Sequence, residues 1–370
     1  MKIGVMLRSI DEKQGIGIYN QNLMDHLLPL DRRNRYVLFY RNPDFLGRYA
    51  HYEHVQEKLI TAPTKSIWDQ VKIPIEARRE RLDILFHTKF TVPFLTSCKT
   101  VMMVHGAAWA TNPELFKRID NLYVRLVMPW YCRKADAILS NSELTTQDHI
   151  RVLRLNPRKI HTTRLAADDR FKVITDTSVL AQAKAKYCLP DRFILSVVKY
   201  DPRKNFHNLI RAFSICHEQT DCKLVVVGIG CEKYRSEYKL DESGLGQDVQ
   251  FLGWVDQAEL PALYNLAVCH FFPSVYEEFG IPVCEAMACG CPVMVSTTGA
   301  LPEVAGDAGI LVNPMDPEEM ASALYRVWTD EAFRLDRSRQ ALLRSNDFSW
   351  AKCARETLAV LESLGPAKAR

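Results

Sequence analysis

With 370 residues the chain is too long for one ordinary core, so two domains are the expectation. Hydrophobic residues at 47% and charged residues at 25% exclude a disordered or fibrous chain, and no apolar run reaches membrane-span length. The net charge of +4 hides an asymmetry: residues 1–171 carry 27 Lys and Arg against 18 Asp and Glu, the remainder 21 against 26.

A basic first half suits an anionic partner such as a phospholipid surface or a lipid pyrophosphate, although solvated arginines on ordinary helices would give the same count. No nucleic-acid reader motif accompanies it. Residues 1–7 (MKIGVML) lack the long apolar core and cleavage site of a secretion signal, and 2–7 read as a first strand. The segment QGIGIYNQNLMDHL follows, a glycine loop opening a helix with Ile18, Leu23, Leu27 and Leu28 at helical spacing. Strand, glycine turn at Gly15 and Gly17, and helix make a phosphate-cradle geometry, which as a bare G-x-G is also an ordinary tight turn.

Strands are expected at 36–40, 58–61 and 82–86, with a helix over 66–80 bent at Pro74. A further strand, 100–104, ends at His105-Gly106, where a histidine can serve as a ligand or as a hydrogen-bonded support. Residues 108–116 read as a mobile loop. In the helix over 119–132, Leu122, Leu126 and Trp130 share one side. Core packing is the expected fate of Trp109 and Trp130, with a lipid-surface contact alongside Arg118 and Arg125 as the alternative. The run Asn141-Ser142-Glu143 is expected to cap the next helix, as Asn or Ser before a polar turn should.

After a polar linker at 172–176, strand 193–198 runs into Lys199-Tyr200-Asp201-Pro202-Arg203-Lys204-Asn205 and a helix. Lys199 and Lys204 at a strand-to-helix junction are placed to neutralise a diphosphate, where a solvated basic turn is the plainer alternative. Strand 223–227 runs into Gly228 and Gly230, and 249–252 ends at Leu252 before Gly253. Eleven scattered cysteines without C-x-x-C pairs suit buried thiols in a reducing cytoplasm.

The segment SVYEEFGIPVCEAMACGCPVMVSTT, 274–298, reads as loop, short helix and strand. Glu285 is expected on the first turn of that helix, with Glu277 in the approach loop. Between them Phe279-Gly280-Ile281 presents free amides at a helix N-terminus, a ready anion site. Two carboxylates flanking an anion cradle suit a ligand with phosphates and hydroxyls, a sugar nucleotide, although acidic residues are common in first turns for dipole reasons alone.

This segment resembles the donor-site signature of the family 4 retaining glycosyltransferases (group 1), Y-E-G-F-G-x-P-x-x-E-A-M-A-x-G-x-P-V. It matches at Tyr276, Glu277, Phe279, Gly280, Pro282, Glu285, Ala286, Met287, Ala288, Gly290, Pro292 and Val293, and departs at Glu278 where glycine is usual. The resemblance covers nearly the whole chain, more weakly before Ala135. It implies an α/β, GT-B fold: two Rossmann-like doubly wound domains facing each other across a cleft. An acceptor domain would span 1–171, with the helix in 351–370 returning to it, and a nucleotide-sugar donor domain 172–350. It also carries roles over. Glu285 would bind ribose hydroxyls, and Glu277 the transferred sugar. Lys199, Lys204 and the amides of Phe279, Gly280 and Ile281 would hold the diphosphate, and Gly228, Gly230 and Leu252 the nucleobase edge. Gly15 and Gly17 would line the donor loop, and His105 would lie beside sugar and acceptor. Further departures are Gln14 and Val198 for glycines, Gly106 for aspartate and Lys199 for arginine.

The resemblance thus implies a retaining hexosyltransferase, bacterial and mannosyltransferase-like, building polysaccharide or lipopolysaccharide. Its partners would be a nucleotide sugar, a glycan or lipid-linked acceptor and an anionic membrane, with no nucleic acid, at the inner face of the plasma membrane. No cofactor is expected, and no metal, since no D-x-D occurs. Two rivals remain: a GT-B epimerase of sugar nucleotides, which would form product without acceptor, and a degenerate binding protein, against which both glutamates argue.

Overall fold

The computed structural model describes residues 1–12, 15–113 and 118–365. Gln14 and positions 114–116 of the expected loop lie outside them. The chain divides into two compact units, Met1–Leu165 with the segment from Ser349, and Ala166–Phe348. The division precedes the boundary read at 171/172 because Phe171 packs edge-on against Tyr264 (centroids 6.0 Å) and the Lys172 carbonyl accepts from Asn265 Nδ2 at 3.0 Å.

The first unit is a seven-stranded parallel sheet in the order β3-β2-β1-β4-β5-β6-β7. The strands are β1 Lys2–Met6, β2 Arg35–Tyr40, β3 Val55–Leu59, β4 Ile84–His87, β5 Lys99–Val104, β6 Ala137–Ser140 and β7 Ile160–Thr162. Central strands covered on both faces are nearly continuous apolar runs, as in buried β2 (Tyr36–Tyr40). Edge strand β3 is polar and begins three residues before the strand read at 58–61, because one side has no neighbour to bury it.

Helix α1 (Ile16–Leu30) buries Leu23, Met24, Leu27 and Leu28. The stretch read as a helix bent at Pro74 is helical from Lys65 to Arg79 with a wide turn at Trp68–Lys72, just before the proline that has no N–H to give. Residues Ala108–Thr111, read as loop, form one helical turn. Helix α2 (Arg118–Lys134) buries Met128, Tyr131 and Cys132 but leaves Leu122, Leu126 and Trp130 60%, 62% and 61% exposed. Core packing holds for Trp109, at 7% exposure, and fails for Trp130. Ser142 caps the next helix by accepting from the Thr145 amide at 3.1 Å. The C-terminal helix Trp350–Ser363 buries Trp350, Cys353, Ala354, Thr357 and Leu361, a stripe at helical spacing, and packs on α1 with Tyr19 and Trp350 at 6.1 Å.

The second unit is a six-stranded parallel sheet in the order β10-β9-β8-β11-β12-β13. Its strands are β8 Ile194–Val197, β9 Leu224–Val227, β10 Val249–Gly253, β11 Cys269–Phe272, β12 Val293–Ser296 and β13 Ile310–Val312. Two of its helices position the site, α3 (Phe206–His217) and α4 (Ile281–Ala288). Both units are Rossmann-like. Nine of the eleven cysteines are buried, and all are free thiols. Among the described residues no helix is long and apolar enough to cross a membrane.

Candidate active site

In the second sheet β8 has β9 on one side and β11 on the other, so the crevice beyond their carboxyl ends is the switch point where open α/β sheets take ligands. Asp201 shapes the loop leaving β8: its side chain accepts from the Arg203 amide at 3.0 Å and closes a turn over Pro202–Lys204. Asn205 then adopts a left-handed conformation (φ 55°) to start α3, and its Nδ2 donates to the Pro273 carbonyl at 3.1 Å. The Val275 amide donates to the Arg203 carbonyl at 2.9 Å, so the loops after β8 and β11 are tied backbone to backbone.

Six charges meet on that frame. Lys204 Nζ lies 2.5 Å from Glu277 Oε1, with the two side chains only 13% and 14% exposed. Arg203 donates to Asp201 from Nε and Nη2 at 3.1 and 2.8 Å, and its Nη1 is 3.9 Å from Glu278. Lys199 Nζ is 3.3 Å from the same Asp201. Burial acts to raise the Asp201 pKa, but the Arg203 hydrogen bonds and charge, with Lys199, hold the carboxylate well below its usual range. Glu278 behaves oppositely: burial, then the neighbouring Glu277 charge, push its carboxyl up to about 7 against Arg203 and Lys204.

Gly280 opens α4 with φ 100°, and a Cβ there would lie 2.6 Å from Leu301 Cδ2, so the position demands glycine. No side chain caps α4; Pro282 has no N–H and the Val283 amide donates to the Gly280 carbonyl at 2.9 Å, so an anion at this helix start would meet the amides that precede Pro282. Phe279 packs edge-on against Phe348 at 5.9 Å, and Ile281 follows at the helix start. The turn after β12 fixes Glu277: the Ala300 amide donates to its carbonyl at 2.9 Å, and a Cβ on Gly299 would stand 2.7 Å from its backbone nitrogen. Glu285 is on the second turn of α4, not the first, since the helix starts at Ile281. It is 3% exposed and accepts from Tyr264 Oη at 3.2 Å. Burial pushes its carboxyl up to about 8, with Asp168 adding to the rise while the Tyr264 hydrogen bond and Arg170 oppose it. The group is therefore neutral at pH 7 and can donate as well as accept.

The neighbouring strand ends form a glycine-lined rim. Gly228 (φ 143°) leaves no room for a side chain, because a Cβ would be 2.1 Å from the Val198 carbonyl oxygen. Gly230 (φ 73°) lies against Tyr200. Leu252 is the extra residue of a bulge in β10, where the register slips between Phe251 and Gly253.

The first unit has its own switch point, between β1 and β4. Gly15 (φ 46°) caps α1 with its carbonyl, which accepts from the Tyr19 amide at 2.9 Å. At Gly17 a Cβ would stand 1.6 Å from the Glu12 carbonyl oxygen, so only glycine fits. His105, at the end of β5, donates from Nε2 to the Thr88 carbonyl at 2.8 Å and meets Tyr19 edge-on at 5.1 Å. Burial lowers its pKa to about 4, so the ring is neutral and Nδ1 is left as an acceptor. An open pocket of about 550 Å³ lies beside this point at the ends of β1–β3, lined among others by Arg8, Glu12, Arg41 and Lys65. Among the described residues no group of three His, Cys, Asp or Glu side chains is placed to hold a metal ion.

Gly15, Gly17 and His105 thus belong to the first unit, and Lys199, Lys204, Gly228, Gly230, Leu252, Glu277, Phe279, Gly280, Ile281 and Glu285 to the second. Residues 183–344 match the family model described as Glycosyl transferases group 1, and residues 14–169 that of Glycosyltransferase Family 4. The chain belongs to these family 4, group 1 glycosyltransferases. It is 27% identical over 321 residues to the O-antigen chain mannosyltransferase B of Escherichia coli, covering 84% of this chain and 82% of that one. It is 35% identical over 265 residues to the serotype-specific mannosyltransferase WbdA of Escherichia coli, covering 69% of this chain but only 32% of that much longer protein. Its fold matches the crystal structure of Anabaena Alr3699/HepE in complex with UDP-glucose with a TM-score of 0.77, at 20% identity, over 98% of this chain and all of that one. The fold is thus GT-B.

As a glycosyltransferase of this family the chain departs from the usual pattern in ways its geometry explains. Val198 stands for a glycine with its side chain buried, because the tight backbone approach there is provided by Gly228 across from it. Lys199 lacks arginine's fork, but Arg203 brings a guanidinium to the same Asp201. Arg203, Asp201, Tyr264 and the Asp168–Arg170 pair (2.7 Å) were not singled out as site residues from the sequence. The signal available for Asp201 and Arg203 was the D-P-R-K run, an Asx-turn pattern that places a guanidinium back on its own aspartate.

Proposed function

We propose that this glycosyltransferase is a retaining, metal-independent hexosyltransferase that moves mannose from a nucleoside-diphosphate sugar to a hydroxyl of a glycan or lipid-linked acceptor, in cell-surface polysaccharide synthesis. The observation that carries it is the Lys204–Glu277 pair at the switch point beside the uncapped start of α4. The mannosyltransferase relatives support the choice of sugar. Lys204, Lys199, Arg203 and the amides near Gly280 bind the diphosphate and stabilise the charge it gains on leaving. Glu285, neutral and flanked by Tyr264, binds ribose hydroxyls. Gly228, Gly230 and Leu252 offer backbone groups to the base. Glu277 holds the sugar's hydroxyls and steadies positive charge at its anomeric carbon. That carbon's bond to the phosphate oxygen breaks as the acceptor oxygen bonds on the same face, and the acceptor's proton passes to the leaving diphosphate.

In the first unit, Gly15 and Gly17 set the loop, and His105 Nδ1 accepts a hydroxyl hydrogen. The first unit also bears the membrane contact, at the cytoplasmic face: Leu122, Leu126 and Trp130 form an exposed stripe on α2 between Arg125, Arg133 and Lys134. The test is transfer from GDP-mannose, and from UDP-glucose in parallel, to a lipid-linked oligosaccharide in chelator, with the product's anomeric configuration read by NMR. Lys204→Ala and Glu277→Ala should each lower kcat by ~100-fold or more. Full transfer by both variants, or an inverted product, would refute the assignment.

A further inference from the structure

The chemistry proposed above makes no use of the pocket of about 550 Å³ in the first unit, a volume within the range of small-molecule sites. It lies where the carboxyl ends of β1, β2 and β3 stand side by side, and the segment leaving each strand supplies part of its wall. Arg8 follows β1, Arg41 and Asn42 follow β2, and Thr61 follows β3 before the helical stretch that opens at Lys65. Some charges of this wall are already matched. Arg8 is bonded to the buried Asp69, which also accepts from Thr91 Oγ1 at 3.1 Å. Glu12 is paired with Lys89 at 3.0 Å.

Arg41 and Lys65 are not matched. Among the described residues neither forms an ion pair: Arg41 donates only to the Ala62 carbonyl, at a long 3.4 Å, and Lys65 acts on Glu12 only at a distance. Asp11 accepts from Asn42 Nδ2, again at 3.4 Å. A half-buried guanidinium with one long bond to a neutral carbonyl keeps most of its fork of donors for another partner, and that fork fits phosphate. Lys65 adds a point charge to the same cavity. A bare inorganic anion would be repelled by Asp11 and Glu12, whereas sugar hydroxyls would donate to them. The wall therefore suits one molecule with an anionic end and a hydroxyl-bearing end. We infer that this pocket binds a phosphorylated sugar, its phosphate on Arg41 and Lys65 and its hydroxyls on Asp11, Asn42 and Thr61. A free sugar phosphate and a sugar carried on a lipid pyrophosphate offer this same chemistry. That the ligand is the acceptor rests on the glycosyltransfer reading above; its binding does not.

The experiment is isothermal titration calorimetry of the full chain at low ionic strength, with GDP added first to saturate the cradle of the second unit. The probes are mannose 1-phosphate, mannose on a short prenyl pyrophosphate, and methyl mannoside as the uncharged control. At least one phosphorylated probe should bind ~10-fold or more tightly than methyl mannoside, and which of the two does so names the source. Arg41→Gln and Lys65→Gln should each weaken that binding by ~10-fold, with GDP affinity unchanged. Both variants should melt with the parent, since neither side chain is in an ion pair. Phosphorylated probes no tighter than methyl mannoside, or binding undiminished in the double variant, overturn the proposal and leave the donor site standing. GDP is titrated in the same series, so a failure to bind GDP counts against the donor site alone.

Discussion

Glu285 offers a measurement that reads burial directly. Its carboxyl titrates at about 8 in the folded chain against an ordinary 4.5, so the native state holds a proton that the unfolded chain has lost. With the folded value raised, the contribution to stability is complete below the unfolded value and disappears as pH climbs through the folded one. Across the window from pH 6.5 to 8 the loss amounts to about 1.6 kcal/mol, the full slope being ~1.4 kcal/mol per pH unit until the folded group itself ionises. Glu285→Gln keeps the shape and a partner for Tyr264 and removes the ionisation. Every other group titrates alike in both proteins, so the difference between them isolates Glu285. In thermal melts the gap in Tm between variant and parent should widen in the variant's favour by roughly 3–6 °C from pH 6.5 to 8, for a cooperative unit of this size. Parallel Tm changes in the two proteins would mean that the carboxyl is ionised in the fold and that its burial is not as described.

Acid should act through the buried histidines. Burial holds His105 and His149 at about 4 and His270 at about 3, all below 6.5, so their stabilisation is present above pH 6.5 and lost as pH falls toward 4. Tm should drop steeply over that interval, and His149→Gln should flatten the drop; an unchanged slope would place the proton elsewhere. On the exposed face of α2, Leu126→Glu with Trp130→Glu should weaken co-sedimentation with vesicles containing anionic lipid by at least ~10-fold while leaving the melt of the first unit in place. Equal sedimentation of the parent with anionic and zwitterionic vesicles would count against the charge half of that surface.

What the sequence revealed and what it concealed divide along physical lines. Glycines whose need is steric were legible, because the same clash recurs wherever a strand turns into a helix: Gly17 against Glu12 and Gly280 against Leu301 are such cases. The parallel strands were legible as apolar runs, except at the edge, where β3 (VQEKL) is polar and its position slipped. Periodicity placed Leu122, Leu126 and Trp130 on one face of α2 but carries no sign: it cannot say which face the core takes, and here the core took Met128 and Tyr131. Glu285 was visible as a motif residue, yet its turn of the helix follows from the start at Ile281, and its raised pKa comes from burial, with Asp168 adding to it and Tyr264 and Arg170 opposing it, groups contributed by other segments. Arg203 escaped notice because in a run of alternating charge only the fold decides which cation meets which carboxylate.

The Lys204–Glu277 pair joins stability to the proposed chemistry. Two largely buried opposite charges hold each other in place without ligand, and removing either one would strand the other at a cost of about 3 kcal/mol or more. On the proposed reading, a diphosphate gives Lys204 another anion at the same switch point, and Glu277, relieved of that pairing, turns to the sugar's hydroxyls. The pair thus keeps both groups oriented before the substrate arrives, so little reorganisation is left for the moment of transfer. Asp201 does the same for Arg203 and Lys199, though its double hydrogen bond from Arg203 is too strong to be released, which fixes the guanidinium instead of freeing it.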